Sequence, residues 1–223
     1  MTNVDPRDII MSISAENWKE ACETLRHAWN ESSDTSTGWS DVKFMNDPLS
    51  TEWIRIIKIA GYTVPPTAEN AEEESQVEID DEALQRNVST NTRDRICYDL
   101  ILSPTYGVPV LYITFPARPV PGADEIYAAL LSTTEHPLVP PMQSIGPLGA
   151  LSMTDHPVLG LPTYFVHPCR TADAMDAVTG GQELSCGAYL LAWMGLIGGG
   201  VGLDVPVGVA QYLAKTTNSP GTR

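Results

Sequence analysis

Positive charge is what this chain has least of: 13 lysines and arginines stand against 28 aspartates and glutamates, a net charge of −15 over 223 residues. Such a balance argues against nucleic acid or an anionic membrane surface as a direct partner. Cysteine is also scarce, with thiols only at Cys22, Cys97, Cys169 and Cys186. Their spacing is wide, and the stretch from Met1 to Met11 holds two aspartates and a proline in place of an apolar leader. Four reduced thiols in a cytoplasmic protein are therefore expected, not a disulfide framework. No apolar run approaches the roughly 20 residues that cross a bilayer, so no integral membrane segment is expected. Gly-x-Ser-x-Gly is missing, which argues against a serine hydrolase, and no Gly-Lys-Ser/Thr follows the glycines at 195, 198, 199, 200 and 202. Those glycines read as a helix terminus and a tight turn rather than a phosphate cradle. Repeats and coiled-coil heptads are absent too.

What is present suits a folded domain. Hydrophobic residues make up 43% and charged residues 18%, and the length is ample for a core. One domain spanning residues 1–223 is expected, interrupted by an acidic, flexible insertion at about 64–92 that contains eight acidic and no basic residues between Glu69 and Glu82. A helix is predicted from Ser14 to about Asn30, because Trp18, Cys22, Leu25 and Trp29 recur on one face. Residues Gly38 to Ser50 read as irregular. Trp53 to Ile59 reads as a strand, and Arg95 to Leu102 with Val108 to Phe115 as a hairpin across Ser103-Pro104-Thr105-Tyr106-Gly107. A short helix over Asp124 to Leu131 and a proline-punctuated loop over Thr133 to Gly149 follow. Leu161 to Val166 is a fourth strand. Helices are then predicted over Thr171 to Val178, Glu183 to Ile197, and Asp204 to Ala214 with Asp204 as cap and Pro206 in the first turn. The economical assembly is α+β: a twisted antiparallel sheet of about four strands with helices packed mainly on one face.

Chemistry concentrates where the fourth strand ends, at Tyr164-Phe165-Val166-His167-Pro168-Cys169-Arg170-Thr171. Pro168 fixes its own φ and biases His167 to an extended backbone, which ends the strand. A helix starting at Thr171 would place Cys169 beside unpaired N–H groups and the positive end of the helix dipole, with Arg170 adding a cation. Those conditions favour a reactive thiolate; the competing reading is a packed core cysteine. Three of the four histidines, His136, His156 and His167, precede proline and first of all break elements. An extended backbone turns the His167 side chain away from Cys169, so a role in tying down the loop is favoured over a Cys–His dyad. His156 could approach the thiol if the chain folds back at Gly160 and Pro162. Zinc held by His156, His167, Cys169 and Cys186 is disfavoured, since no pair has the short spacing of a compact site. No metal and no cofactor is expected.

The stretch from Ser152 through His167-Pro168-Cys169 to Thr171 resembles the active-site segment of the Autophagy-related protein 10 family. Leu102-Ser103-Pro104-Thr105-Tyr106-Gly107-Val108-Pro109-Val110-Leu111-Tyr112 is similar to that family's central hairpin, and Asp124-Glu125-Ile126-Tyr127 to the start of its next helix. The resemblance implies a ubiquitin-conjugating-like fold and a transferase of the autophagy conjugation pathway. It also implies that Cys169 takes a ubiquitin-like modifier, Autophagy-related protein 12, as a thioester from its activating enzyme. The modifier then passes to a lysine of a protein acceptor, Autophagy-related protein 5, in the cytoplasm with transient recruitment to the pre-autophagosomal site. His167 is a supporting residue in this reading, and Asp155, Asp173 and Asp176 are nearby carboxylates that could take the lysine's proton. Ordinary ubiquitin carriers have His-Pro-Asn upstream of their cysteine; here His-Pro abuts Cys169, which leaves the oxyanion donor open. Two alternatives stand beside this: the lipid-directed Autophagy-related protein 3 type, and a non-catalytic platform that recruits a partner strand along an exposed edge at Val108 to Phe115.

Overall fold

The computed structural model describes residues 12–32, 36–47, 51–59, 95–117, 119–122 and 151–216, together with Asp34, Glu125, Ile126 and Leu130. The acidic insertion, the loop over Thr133 to Gly149, His136 and most of the helix expected at Asp124 to Leu131 lie outside these residues; Glu125, Ile126 and Leu130 are helical.

Helix α1 (Ala15–Ser32) opens where the Ser14 hydroxyl accepts the Asn17 N–H at 3.1 Å, and it buries Trp18, Ala21, Cys22, Leu25 and Ala28 on one stripe. Six strands follow: β1 (Trp39–Asn46), β2 (Glu52–Ile59), β3 (Arg95–Ser103), β4 (Val108–Thr114), β5 (Leu151–Asp155) and β6 (Pro162–Val166). All pairings are antiparallel, in the order β1-β2-β3-β4-β6-β5. This corrects the expected count of four strands, and both additions are edges. Strand β1 was hidden in a stretch read as irregular, because a bulge between Trp39 and Asp41 breaks the alternation of its apolar residues. Strand β5 is Leu-Ser-Met-Thr-Asp and mostly exposed, so it carries almost no apolar pattern. Strand β4 lies inside the sheet, between β3 and β6, with Tyr112 opposite Phe165 and Ile113 opposite Tyr164. The exposed edge expected at Val108 to Phe115 is thus a buried strand.

Beyond the sheet, three further helices lie among the described residues: α2 (Thr171–Thr179), α3 (Cys186–Ile197) and α4 (Val207–Thr216). Gly180 ends α2 in the left-handed conformation (φ 64°), donating its N–H to the Asp176 carbonyl. Helix α3 begins three residues later than expected, at the Ser185 hydroxyl, which accepts the Ala188 N–H. Helix α4 begins at Val207, not Asp204, since the Pro206 carbonyl takes the first intrahelical bond, from the Ala210 N–H.

The register sorts strand residues onto two faces. Ile54, Ile56, Ile96, Tyr98, Leu100, Leu111, Ile113, Tyr164 and Val166 share one core with Leu25, Met175, Leu190, Trp193, Met194 and Leu213 of the helices. A turn at 198–203 fastens the two layers: Lys58 donates to the Gly202 carbonyl, and the Tyr98 hydroxyl to the Val201 carbonyl at 2.9 Å. Lys58 is buried, which pushes its ammonium pKa down. Gly198 has no room for a side chain, since a Cβ would fall 2.5 Å from the Leu203 carbonyl oxygen. The opposite face carries Trp53, Arg55, Cys97, Asp99, Tyr112 and Phe165.

Candidate active site

Strand β6 leaves the sheet at Val166, and His167 remains extended (φ −66°, ψ 126°). Pro168 then opens a single 3-10 turn, Pro168–Arg170, which leads directly into α2 at Thr171. Pro168 and Thr171 are buried while Cys169 and Arg170 are exposed, so the turn is held at both ends and presents its middle to solvent. Two backbone N–H groups beside the thiol are engaged. His167 Nδ1 accepts the Cys169 N–H at 3.1 Å, and the Thr171 N–H donates to the Pro168 carbonyl. Because Nδ1 accepts, the neutral ring carries its proton on Nε2. The hydrogen bond of His167 is therefore made to the backbone of Cys169 and not to its sulfur. The exposed His167 ring packs edge-on to Tyr106, with centroids 6.1 Å apart, and lies 5.9 Å from Phe165.

The other three thiols differ from Cys169. Cys22 and Cys97 are buried, Cys186 is half-buried on the first turn of α3, and burial pushes all three pKa values up. Asp155, at the end of β5, and Asp173 and Asp176, on α2, are exposed and make no ion pair among the described residues.

None of the side-chain hydrogen bonds of His156 goes to the thiol. The chain does turn after His156, with Gly160 at φ 62°, the Gly160 N–H on the His156 carbonyl and the His156 N–H on the Leu161 carbonyl. That turn delivers the imidazole onto the second face of the sheet. There Nε2 lies 3.2 Å from Asp99 Oδ2, while Nδ1 accepts the Val158 and Leu159 N–H groups at 3.2 and 3.1 Å. Among the described residues, no group of three or more His, Cys, Asp or Glu side chains that could hold a metal ion occurs.

Asp99 itself was overlooked at the sequence level. It is fully buried, and Trp53 Nε1 (3.1 Å), Arg55 Nε (2.7 Å), Arg55 Nη2 (2.7 Å) and His156 Nε2 occupy its two oxygens. Burial alone would push this carboxyl up; the bonds from His156 and Arg55 and the guanidinium charge outweigh it and hold the pKa below the ordinary value. The signal was a lone acid in Ile96-Cys97-Tyr98-Asp99-Leu100-Ile101 and a lone base in Ile54-Arg55-Ile56, two charges in strands otherwise fit for burial.

Comparison with known proteins bears on this geometry. Residues 16–207 match the family described as autophagocytosis associated protein, active-site domain. The chain belongs to that family, in its Autophagy-related protein 10 branch. Relatives of the branch include the ubiquitin-like-conjugating enzyme ATG10 of Gibberella zeae, 37% identical over 139 residues, 60% of this chain and 56% of that protein. The human ATG10 enzyme is 27% identical over 155 residues, 65% of each chain, and that of Dictyostelium discoideum is 32% identical over 124 residues, 49% of this chain and 51% of its own. The chain thus spans about half to two thirds of the length of these Autophagy-related protein 10 relatives. Among the described residues, no helix is long and apolar enough to cross a membrane.

Proposed function

We propose that this chain is a ubiquitin-carrier-type conjugating enzyme of autophagy, built as one cytoplasmic domain, with Cys169 as its catalytic nucleophile. The observation that carries this reading is the contrast among thiols. Cys169 is exposed on a turn pinned at both ends, whereas the remaining three are withdrawn and held protonated by burial. Relatives named as ubiquitin-like-conjugating enzymes support the reaction class.

Two acyl transfers follow. The Cys169 thiolate attacks the thioester carbonyl that joins the modifier, of Autophagy-related protein 12 type, to its activating enzyme. A new S–C bond forms, and the activating enzyme's thiolate leaves and takes up the proton that Cys169 gave up. The amine of an acceptor lysine, of Autophagy-related protein 5 type, then attacks the same carbonyl, an isopeptide N–C bond forms and Cys169 departs as thiolate. A lysine has a pKa near 10.4, so it must shed a proton to solvent or a carboxylate before the bond is complete. His167 supports the site by holding the Cys169 amide. With the Cys169 and Thr171 N–H groups both taken in this conformation, the developing oxyanion needs donors from outside this pair. The ATG10 names of the relatives favour a protein acceptor over the lipid-directed alternative.

Incubation with the matching activating enzyme, the modifier and ATP should give an adduct on a non-reducing gel that thiol reductant abolishes. Cys169→Ser should replace it with a reductant-stable ester, and Cys169→Ala should give none. A reductant-labile adduct persisting on Cys169→Ser would sink the assignment. No adduct beside a demonstrably charged activating enzyme would favour the binding-platform reading.

A further inference from the structure

The second face of the sheet holds a polar network that the proposed chemistry does not use. Asp99 on β3 receives four donors, one of them from His156 in the turn between β5 and β6. Four donors fill the acceptor sites of a carboxylate, and the Arg55 contact is the paired, two-bond kind. His156 is saturated as well. Its Nδ1 faces two backbone N–H groups and so carries no proton, which places the proton on Nε2, directed at Asp99. One imidazole therefore clasps the tip of an edge hairpin with one nitrogen and the centre of the sheet with the other.

From there a row of rings continues to the thiol. The His156 ring lies 5.3 Å from Tyr112, Tyr112 stacks at 6.1 Å on Phe165, and Phe165 is 5.9 Å from His167, which holds the Cys169 amide. Strand β6 has little backbone pairing to the sheet, and the Thr163 hydroxyl on the Ile113 carbonyl at 2.8 Å is a side-chain attachment as well. The register of β6 with β4 joins only Tyr112 to Phe165 and Ile113 to Tyr164, and its other neighbour is the exposed edge β5. An element attached by so short a ladder takes its position from side chains.

We propose that His156 is a positioning residue anchored on Asp99: it fixes the β5–β6 hairpin to the sheet and thereby sets the place of His167 and Cys169. This rests on the reading of Cys169 as the thioester cysteine. The two ends of the ring can be separated by substitution. In His156→Asn the side-chain oxygen can stand in for Nδ1 and hold the turn, but the side chain is too short to reach Asp99. In His156→Gln the amide nitrogen can stand in for Nε2 and keep the Asp99 contact, while the turn loses its acceptor.

The test compares His156→Asn, His156→Gln and His156→Ala, in the full chain, by hydrogen exchange over residues 151–166 and by single-turnover discharge of the charged enzyme to the acceptor. His156→Asn should retain protection at the Val158 and Leu159 amides yet discharge about tenfold more slowly, within the cost of misplacing a reacting group by a fraction of an ångström. His156→Gln should restore most of the rate while those two amides exchange quickly. Equal behaviour of the Asn and Gln variants, or rates that simply follow melting temperature across all three, would overturn the proposal. Should the wild type fail to charge at all, the conjugation reading falls. Exchange then still decides the clasp: faster exchange across β6 in His156→Asn than in His156→Gln supports it, and the reverse order overturns it.

Discussion

Thiol reactivity at Cys169 is decided within a few ångströms. Iodoacetamide should label this residue first, with Cys22, Cys97 and Cys186 slower, because Cys169 is exposed whereas burial shields the other three from the reagent and pushes their pKa values up. Peptide mapping by mass spectrometry checks the order, and faster labelling of any other thiol contradicts it. Asp99 makes a second prediction at the same scale. Asp99→Asn leaves the Arg55 guanidinium without its counter-charge and should cost about 3–5 kcal/mol at neutral pH. The folded carboxyl has a pKa below its unfolded value of about 3.9, so its contribution is complete above that range and drains away as pH falls through the folded pKa. Urea unfolding should therefore show a smaller gap between wild type and variant near pH 3 than at pH 7; a gap that widens in acid would refute the sign. The network was not legible beforehand, because an acid within an apolar strand states that a partner is needed without saying which. Register supplied Arg55 directly across the sheet, and a turn 57 positions away in the chain supplied His156.

Among elements, the outcome depended on how much apolar surface each one buries. Strands β2, β3, β4 and β6 carry Trp53-Ile54, Ile96-Cys97, Val110-Leu111 and Tyr164-Phe165, and were readable from composition and alternation. The two edges were not. An edge strand has one free side and commonly avoids an apolar pattern that would invite pairing, so the signal that identifies central strands is weakest there. The starts of α3 and α4 fall three residues later than the expected Glu183 and Asp204, because the Ser185 hydroxyl caps α3 and Pro206, rather than the expected cap Asp204, stands at the start of α4. His167-Pro168 correctly marked the end of β6, since proline chemistry acts locally and needs no tertiary partner. A prediction belongs to the turn after α3. Gly198→Ala would drive a Cβ to within 2.5 and 2.6 Å of two backbone oxygens, Leu203 and Met194, neither of which can rotate aside. A loss of about 1–3 kcal/mol is expected, as for overpacking elsewhere. Thermal melting should show it, and an unchanged midpoint would mean that the turn yields more readily than its packing implies.

For the molecule as a whole, charge is the governing imbalance. With 28 acidic against 13 basic residues, the folded chain repels itself, and screening should relieve this. Raising sodium chloride from about 20 to 300 mM, which shortens the Debye length from over 20 Å to under 6 Å, should raise the melting midpoint. A midpoint that falls with salt would show that attractive ion pairs such as Lys19–Glu52 and Arg55–Asp99 outweigh the general repulsion.

The two bonds that tie the 198–203 turn to the sheet also order events during synthesis. Lys58 leaves the ribosome 144 residues before the carbonyl that receives its ammonium group, and Tyr98 precedes its own acceptor by 103. At about 5–20 residues per second, the lysine waits roughly 7 to 30 seconds. Throughout that interval β2 carries an ammonium group that cannot be dehydrated without a partner, so water must remain on the face that later becomes the core. Cys169 is made before the glycine turn at 198–203, and the nascent chain therefore displays its thiol before the layer behind it can close.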